Sequence, residues 1–287
     1  MKKTVMGLIG LMICAGMITG CVGNDKNFDP KKGITVISRE DGSGTRGAFS
    51  DLFELVVKTD DTQTDTTTLE AIIANKTGVV ISDVVSDMYA IGYVSIGSLN
   101  ESVKAVKING VEAVGENVKN GTYEVSRPFN IAMNEKISDE TQDFINYILS
   151  ADGQAVVEES GYIQINSDTV RYEPTGASGK VVVSGSSSVS PLMEKLAEAY
   201  MGLNSGVSVE IQTSDSSTGM QNVMDGSCDI GMASRDLKES ESSLKAMPIA
   251  LDGIAIVVNT KNPLDNLTKE QVRNIFNGSI IKWSELN

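Results

Sequence analysis

The sequence predicts an α/β protein with mostly parallel sheets, and the first two of the following observations carry that expectation. Short runs rich in Val and Ile alternate with amphipathic stretches along the chain, as strands interleaved with helices do. Tight glycine- and serine-rich links join strand to helix, as between Ile37 and Phe49. Cysteine is scarce: Cys14 and Cys21 lie near the start and Cys228 stands alone, so no disulfide is expected to supplement the cores. At 287 residues the chain is long enough for two modest lobes.

Ile34–Ile37 is a β-branched run suited to a buried strand. Thr45–Lys58 reads as a helix with Phe49, Leu52, Phe53 and Val56 on one face. Thr59–Thr68, a run of Asp, Thr and Gln, is expected to be a surface loop leading into Leu69–Asn75. Val79–Met88 reads as a helix and Ile91–Ile96 as a strand, while Val103–Ile108 and Glu112–Val118 alternate as surface strands do. Ser138 is the expected N-cap of a helix with Asp139 and Glu140 in its first turn and Phe144, Ile145, Ile148 and Leu149 on one face. Ser190-Pro191 opens another, with Ser190 as N-cap, ending near Asn204. Thr268 and Gln271 form a capping box for the last helix, closed by Asn277-Gly278.

The two ends of the composition argument concern export and charge. Lys2 and Lys3, followed by an apolar run from Val5 to Ile18, predict an export signal over 1–20 that is too short for a good membrane span. Ile18-Thr19-Gly20-Cys21 resembles a lipobox, which places a lipid on Cys21 and makes 21–30 a tether; a plain secretory signal with a chance cysteine is the alternative. Cys228, in an apolar stretch, is expected to be a buried structural residue. Lys and Arg number 24 against 38 Asp and Glu, a net charge of −14, which argues against a nucleic-acid partner. It does not argue against a buried anion, because salt screens the long-range field over about 8 Å and local dipoles decide. The chain has no histidine, which removes Ser-His-Asp and Cys-His chemistry and the commonest metal ligand. No enzyme activity, cofactor or metal is expected.

The most informative stretch is Arg39–Gly44, between the first strand and the first helix, with Ser43 and Thr45 at the helix entrance. A helix N-terminus leaves backbone N–H groups unpaired and carries partial positive charge. Small hydroxyl residues around it and a guanidinium beside it make an oxyanion cradle. An ordinary glycine turn with a Ser or Thr cap fits the same letters.

Several separate loops agree with one family. Ser38–Arg46, reading Ser-Arg-Glu-Asp-Gly-Ser-Gly-Thr-Arg, resembles the anion loop of the PstS-type phosphate-binding proteins that feed bacterial phosphate ABC transporters. Val181–Leu192 is similar to the loop that opens the mature chain in that family, and Thr213–Met220 and Asp229–Arg235 to its next two ligand loops. Asp252–Asn259, Ile275–Gly278 and Lys282–Leu286 agree as well, so the resemblance runs from Gly33 to Asn287. The order differs: here the family's second half precedes its first. Arg127–Ile165 resembles a family C-terminus and runs into Gly179, where a family N-terminus begins. The order reads as a circular permutation cut between Asn287 and about Lys31, tolerated where termini lie close; a truncated piece of a tandem chain is the alternative.

The resemblance implies an α/β, two-lobed periplasmic-binding-protein-like (type II) fold, circularly permuted, with a ligand cleft between the lobes. One lobe would comprise 31–126 plus 260–287 and the other 127–259, with crossings near Arg127–Ala132 and Gly253–Asn259. It implies phosphate binding by Arg39, Ser43, Gly44 and Thr45 from one lobe and by Ser187, Ser188 and Ser216 from the other. Ser187 and Ser216 lie near helix starts, so capping is a second role open to each. Asp41 falls where the family holds its arginine by a salt link, and would also serve as an acceptor. Ser234 stands where the best-known pattern has an Asp, and Arg235 after it either adds a cation near the cleft or points to solvent. The implied protein is an extracytoplasmic, lipid-anchored monomer that binds inorganic phosphate and delivers it to a membrane permease. Binding of sulfate, molybdate or tungstate, or a sensor or adhesin role uncoupled from uptake, are the alternatives.

Overall fold

The computed structural model describes residues 28–59, 62–165 and 170–286. The predicted signal over 1–20, the lipidation site Cys21 and most of the tether lie outside the described residues. In chain order the elements are β1 (Thr35–Arg39), α1 (Gly44–Leu52), β2 (Val56–Thr59), β3 (Thr62–Asp65), β4 (Ile72–Ala74), α2 (Thr77–Ser86), β5 (Ala90–Ser95), β6 (Val103–Ile108), α3 (Gly115–Lys119) and β7 (Ser126–Met133). They continue as α4 (Asp139–Leu149), α5 (Ala151–Glu159), β8 (Gly179–Ser186), α6 (Ser190–Leu203), β9 (Val207–Ser214), α7 (Ser216–Met224), β10 (Ile230–Ala233), β11 (Lys245–Asn259), β12 (Asn266–Leu267) and α8 (Lys269–Phe276). Among the described residues no helix is long and apolar enough to cross a membrane.

One sheet runs through the molecule in the order β4-β1-β5-β11-β7-β10-β8-β9, with β6 and β12 attached beside β11. Its flanks are parallel, β4-β1-β5 on one side and β10-β8-β9 on the other. The expected mostly parallel sheet is corrected at the centre, where β11 is antiparallel to β5, β6 and β7, and β7 to β10. The long strand β11 is the reason. Lys245–Gly253 pairs with β7, and Ile254–Asn259 then lies between β5 and β6.

Two cores result. The first gathers β1, α1, α2, β5, β6 and α8 around Ile37, Phe49, Tyr93 and Phe276, and the second gathers β7, α4, β8 and α6 around Phe129, Phe144, Leu192 and Tyr200. Ile249 and Ala250 belong to the second core but Ile254–Val258 to the first, so β11 passes between the cores near Gly253, at the start of the expected Gly253–Asn259 crossing and ahead of the expected lobe boundary at 259. A Cβ on Gly253 would stand 2.1 Å from the Ile96 side chain, so the crossing strand can pass the first lobe only without a side chain there. At this crossing Arg127 faces Asp252 across the β7–β11 pair, with Nη2 donating to Oδ2 at 3.2 Å while Ser95 Oγ donates to Oδ1 at 2.8 Å. Burial pushes the Asp252 carboxyl up to about 6 against the opposing pull of Arg127.

Three local expectations are corrected. The first helix ends at Leu52 and not at Lys58, because Glu54 takes a left-handed conformation (φ 56°) that breaks it. The β-branched residues beyond it then form the β2–β3 ribbon, so part of the expected loop at 59–68 is strand. Glu112–Val118 leads into a short helix, α3, instead of a strand. Val189, not Ser190, takes the N-cap position of α6; Ser190 Oγ donates back to the Ser186 carbonyl at 3.1 Å. The Ser138 cap and the Thr268/Gln271 capping box are present as read. Cys228 is buried, and burial pushes its thiol up to about 11.

Candidate functional site

The carboxyl ends of the parallel strands and the starts of the helices that follow them meet between the two cores. On the first lobe, β1 ends in Arg39, whose backbone N–H donates to Tyr93 Oη at 3.1 Å. Tyr93 also contacts Ser38 Oγ at 3.0 Å and stacks on Phe49 at 3.9 Å, so β1, β5 and α1 are tied at one ring. Burial raises the Tyr93 hydroxyl above its ordinary value, which keeps it a neutral hydrogen-bonding group. Removing an aromatic ring from such a cluster costs about 3–5 kcal/mol.

Arg39 is 2% exposed. Its Nε and Nη2 donate to the two carboxylate oxygens of Glu40 at 2.8 Å each, a two-point grip that fixes the guanidinium plane. The free edge faces across the cleft: Nη2 lies 3.1 Å from Ser187 Oγ, and Nη1 is 3.3 Å from Thr77 Oγ1. Ser43 is the N-cap of α1, accepting from the Arg46 N–H at 3.3 Å, so Gly44 and Thr45 follow in its first turn. A Cβ on Gly44 would stand 2.3 Å from Ser216 Oγ and 2.8 Å from Ser234 Oγ. Only a glycine lets this helix start approach the opposite lobe so closely.

The second lobe answers with hydroxyls. Ser188 Oγ is 2.7 Å from Thr45 Oγ1 and 3.2 Å from Thr77 Oγ1, and Ser187 Oγ accepts from the Thr77 N–H at 3.3 Å. Ser186 Oγ donates to Ser234 Oγ at 2.9 Å, and Ser216 Oγ accepts from the Ser234 N–H at 3.1 Å. The cluster thus brings together Arg39, Gly44, Thr45, Ser187, Ser188, Ser216 and Ser234 from four loops, while Ser43 stands beside it as the cap of α1. Neither Ser187 nor Ser216 caps its helix: Val189 precedes α6, and Asp215 caps α7 by accepting from the Thr218 N–H at 2.9 Å. A ring of hydroxyls, N–H groups at helix starts and one guanidinium can enclose a small anion with many donors.

Two expected roles change. Asp41 does not hold Arg39 and does not face the cluster; its side chain is 95% exposed and pairs with Arg46. The backbone leaves β1 with Glu40 directed along the strand end towards Arg39, which leaves Asp41 on the outer side of the turn. Arg235 neither adds a free cation nor points to solvent. It is buried, pairs through both terminal nitrogens with Glu241 at 2.8 Å, and donates from Nη2 to Ser217 Oγ at 3.2 Å. Glu241 is held below the ordinary carboxylate range: burial pushes it up, but the hydrogen bonds and charge of Arg235 outweigh that push.

Sequence reading missed Glu40, Thr77, Ser186 and Arg46, whose Nη1 donates to the Arg39 carbonyl at 3.1 Å. Glu40 sits in an Arg-Glu-Asp run in which either acid could pair with the arginine. Thr77 carried one usable signal, a hydroxyl at a helix start just after a short strand.

The sequence profile of the PBP superfamily domain matches residues 23–152 and 171–287. The phosphate-binding protein PstS 2 of Streptococcus agalactiae serotype V is 50% identical over 99% of this chain and 96% of its own length. The crystal structure of a phosphate-binding protein of a phosphate ABC transporter from Streptococcus pneumoniae TIGR4 superposes with a TM-score of 0.71 at 44% identity, covering 89% of this chain and all of that one. PstS of Staphylococcus saprophyticus is 36% identical over 118 residues, 38% of this chain and 37% of its own length. The two-lobed α/β architecture, the loops gathered between its cores and these likenesses agree, and the chain belongs to the PBP superfamily, in the PstS family of phosphate-binding proteins.

Proposed function

We propose that this chain captures inorganic phosphate in the interlobe cleft and delivers it to the permease of a phosphate ABC transporter. One observation carries the reading: a buried guanidinium, braced by Glu40 on one edge, turns its other edge to Ser187 of the opposite lobe at 3.1 Å, inside a ring of hydroxyls. Arg39 would neutralise part of the anion's charge, and the N–H groups at the starts of α1 and α2 would donate to its oxygens. Micromolar capture needs about −8 kcal/mol. Hydrogen bonds to a charged group contribute about 1.5–3 kcal/mol each, so the donors gathered here suffice once closure and desolvation costs are subtracted. The names of the streptococcal relatives support phosphate as the ligand and an ABC transporter as the setting.

Calorimetric titration of residues 22–287 with phosphate tests this directly, with saturable one-to-one binding expected and no heat of binding as the outcome that removes it. The same reading makes the protein a binding component and not an enzyme; phosphate-ester hydrolysis by the purified chain would contradict it. It also places the chain outside the cell membrane as a monomer held by lipid on Cys21. A Cys21→Ser variant is then expected to leave the membrane fraction.

The reversed loop order is read as a circular permutation. The profile match leaves out 153–170, the stretch where the family's C-terminus would be joined to its N-terminus, and the Staphylococcus match spans only part of the chain. The proposed cut also fits the geometry, because Ile34 N–H donates to the Ile281 carbonyl at 2.8 Å and Ser284 N–H to the Pro30 carbonyl at 2.7 Å.

A further inference from the structure

We infer that Gly42 and the start of α7 form a closure contact outside the hydroxyl ring, one that holds the two lobes together and that only a glycine at position 42 permits. The inference rests on the function proposed above and adds the contact that retains the bound anion. Gly42 lies on the first lobe, in the turn between β1 and α1, whereas α7 packs on β8 and β10 in the second. The Ser217 N–H donates to the Gly42 carbonyl at 3.2 Å. Away from the β7–β11 crossing, this is the one backbone-to-backbone hydrogen bond between the lobes among the described residues. Ser217 stands outside the ring: its Oγ meets Arg235 Nη2 and Lys238 Nζ, each at 3.2 Å.

A helix start leaves its first N–H groups without partners inside the helix. In α7 the Asp215 side chain takes the Thr218 N–H, and the Ser217 N–H finds its acceptor across the cleft. Separating the lobes hands that N–H back to water, so the bond forms with closure. The contact also demands a glycine. A Cβ on Gly42 would stand 2.3 Å from Asp215 Oδ1 and 2.5 Å from its Cγ. Asp215 cannot swing aside freely, because one oxygen accepts from the Thr218 N–H at 2.9 Å and the other from its hydroxyl at 2.6 Å. Yielding would uncap α7. Gly42 does not take a positive φ, so alanine suits the turn itself and the penalty falls on the closed arrangement. This separates Gly42 from Gly44, whose missing side chain makes room inside the ring.

The test is a rescue cycle on residues 22–287, read by calorimetry with inorganic phosphate. Gly42→Ala is expected to bind phosphate about tenfold more weakly, the size of a lost helix cap, with its ligand-free unfolding midpoint unchanged. Asp215→Gly removes the obstructing carboxyl and keeps an acceptable cap, so its affinity should stay within about threefold of wild type. The double variant is expected to recover to within about threefold of Asp215→Gly, which a damaged turn would not do. Gly42→Ala that binds like wild type, or a double variant as weak as Gly42→Ala, overturns the inference and leaves the proposed function standing. Failure of wild type to bind phosphate removes the proposed function, and this inference with it. Should Gly42→Ala not fold, hydrogen exchange of the wild-type Ser217 N–H decides. Saturating phosphate is expected to slow it at least about tenfold, and an unchanged rate overturns the inference.

Discussion

The two faces of the cleft use arginine in opposite ways. On the first lobe Arg39 shares one edge with Glu40 and leaves the other for the cleft, where it meets Ser187. On the second lobe Arg235 is bound at both terminal nitrogens by Glu241, and its remaining bonds go to its own lobe. The first guanidinium is therefore a cleft-facing charge and the second one enclosed within its own lobe, although both are buried beside the same ring. What separates them is the position of the paired acid. A partner adjacent in sequence fixes the guanidinium from the side, and a partner six residues on encloses it from the front.

Four measurements would break or sharpen that contrast. The largest effect is expected for Arg235→Ala, which strands the buried Glu241 and should cost about 3–5 kcal/mol of stability in a urea titration. Phosphate affinity of the folded fraction should change less than about tenfold, and a larger loss would make Arg235 a ligand residue after all. Next comes Arg39→Ala, expected to weaken phosphate binding by about a hundredfold or more, about 2.8 kcal/mol, in calorimetry. An unchanged affinity would erase the difference between the faces. Smaller again is Gly44→Ala, whose added methyl meets Ser216 and Ser234. We expect about a tenfold loss of affinity with an unchanged unfolding midpoint, because alanine suits a helix better than glycine.

The fourth measurement concerns the strand crossing that joins the faces and reads a difference in stability with pH. The folded-state carboxyl of Asp252 lies at about 6, above its ordinary 3.8, so the folded protein binds this proton more tightly than the unfolded chain. The stabilisation from this group is full below about pH 4 and is lost as the pH rises through about 6, by at most about 1.4 kcal/mol per pH unit. Asp65 and Glu241 are lowered, so their contributions fade only as the pH falls below the ordinary carboxylate range. The stability advantage of wild type over Asp252→Asn should thus shrink between about pH 4 and 6. Thermal unfolding midpoints of the two proteins across that window check the sign.

Much of the fold was legible because local chemistry and fold agree. Ser138 and Thr268 cap helices wherever their neighbours place them, since a cap needs only the next three residues. The first helix was overextended because the apolar spacing continues to Val56, and nothing in that spacing reveals that Glu54 turns left-handed. The antiparallel centre of the sheet escaped for a different reason. It depends on one strand serving two lobes, and Lys245–Asn259 reads locally like any buried strand. In the site, the hydroxyl loops were found because they are contiguous motifs. Thr77 was not, because its part in the ring comes from a helix start far in sequence from the serine loop it meets.

Sequence alone determined which residue types meet: small hydroxyls, glycines and one arginine at helix entrances, in loops whose composition favours N–H groups left unpaired. Tertiary structure decided the rest, namely which acid pairs with which guanidinium, and so which charge faces the cleft. Ion pairing depends on distances of a few Å between side chains, and Glu40, Asp41 and Glu241 are chemically near-equivalent until the backbone directs each one. That direction set Asp41 outside, closed Glu241 around Arg235, and left the free edge of Arg39 turned toward the opposite lobe.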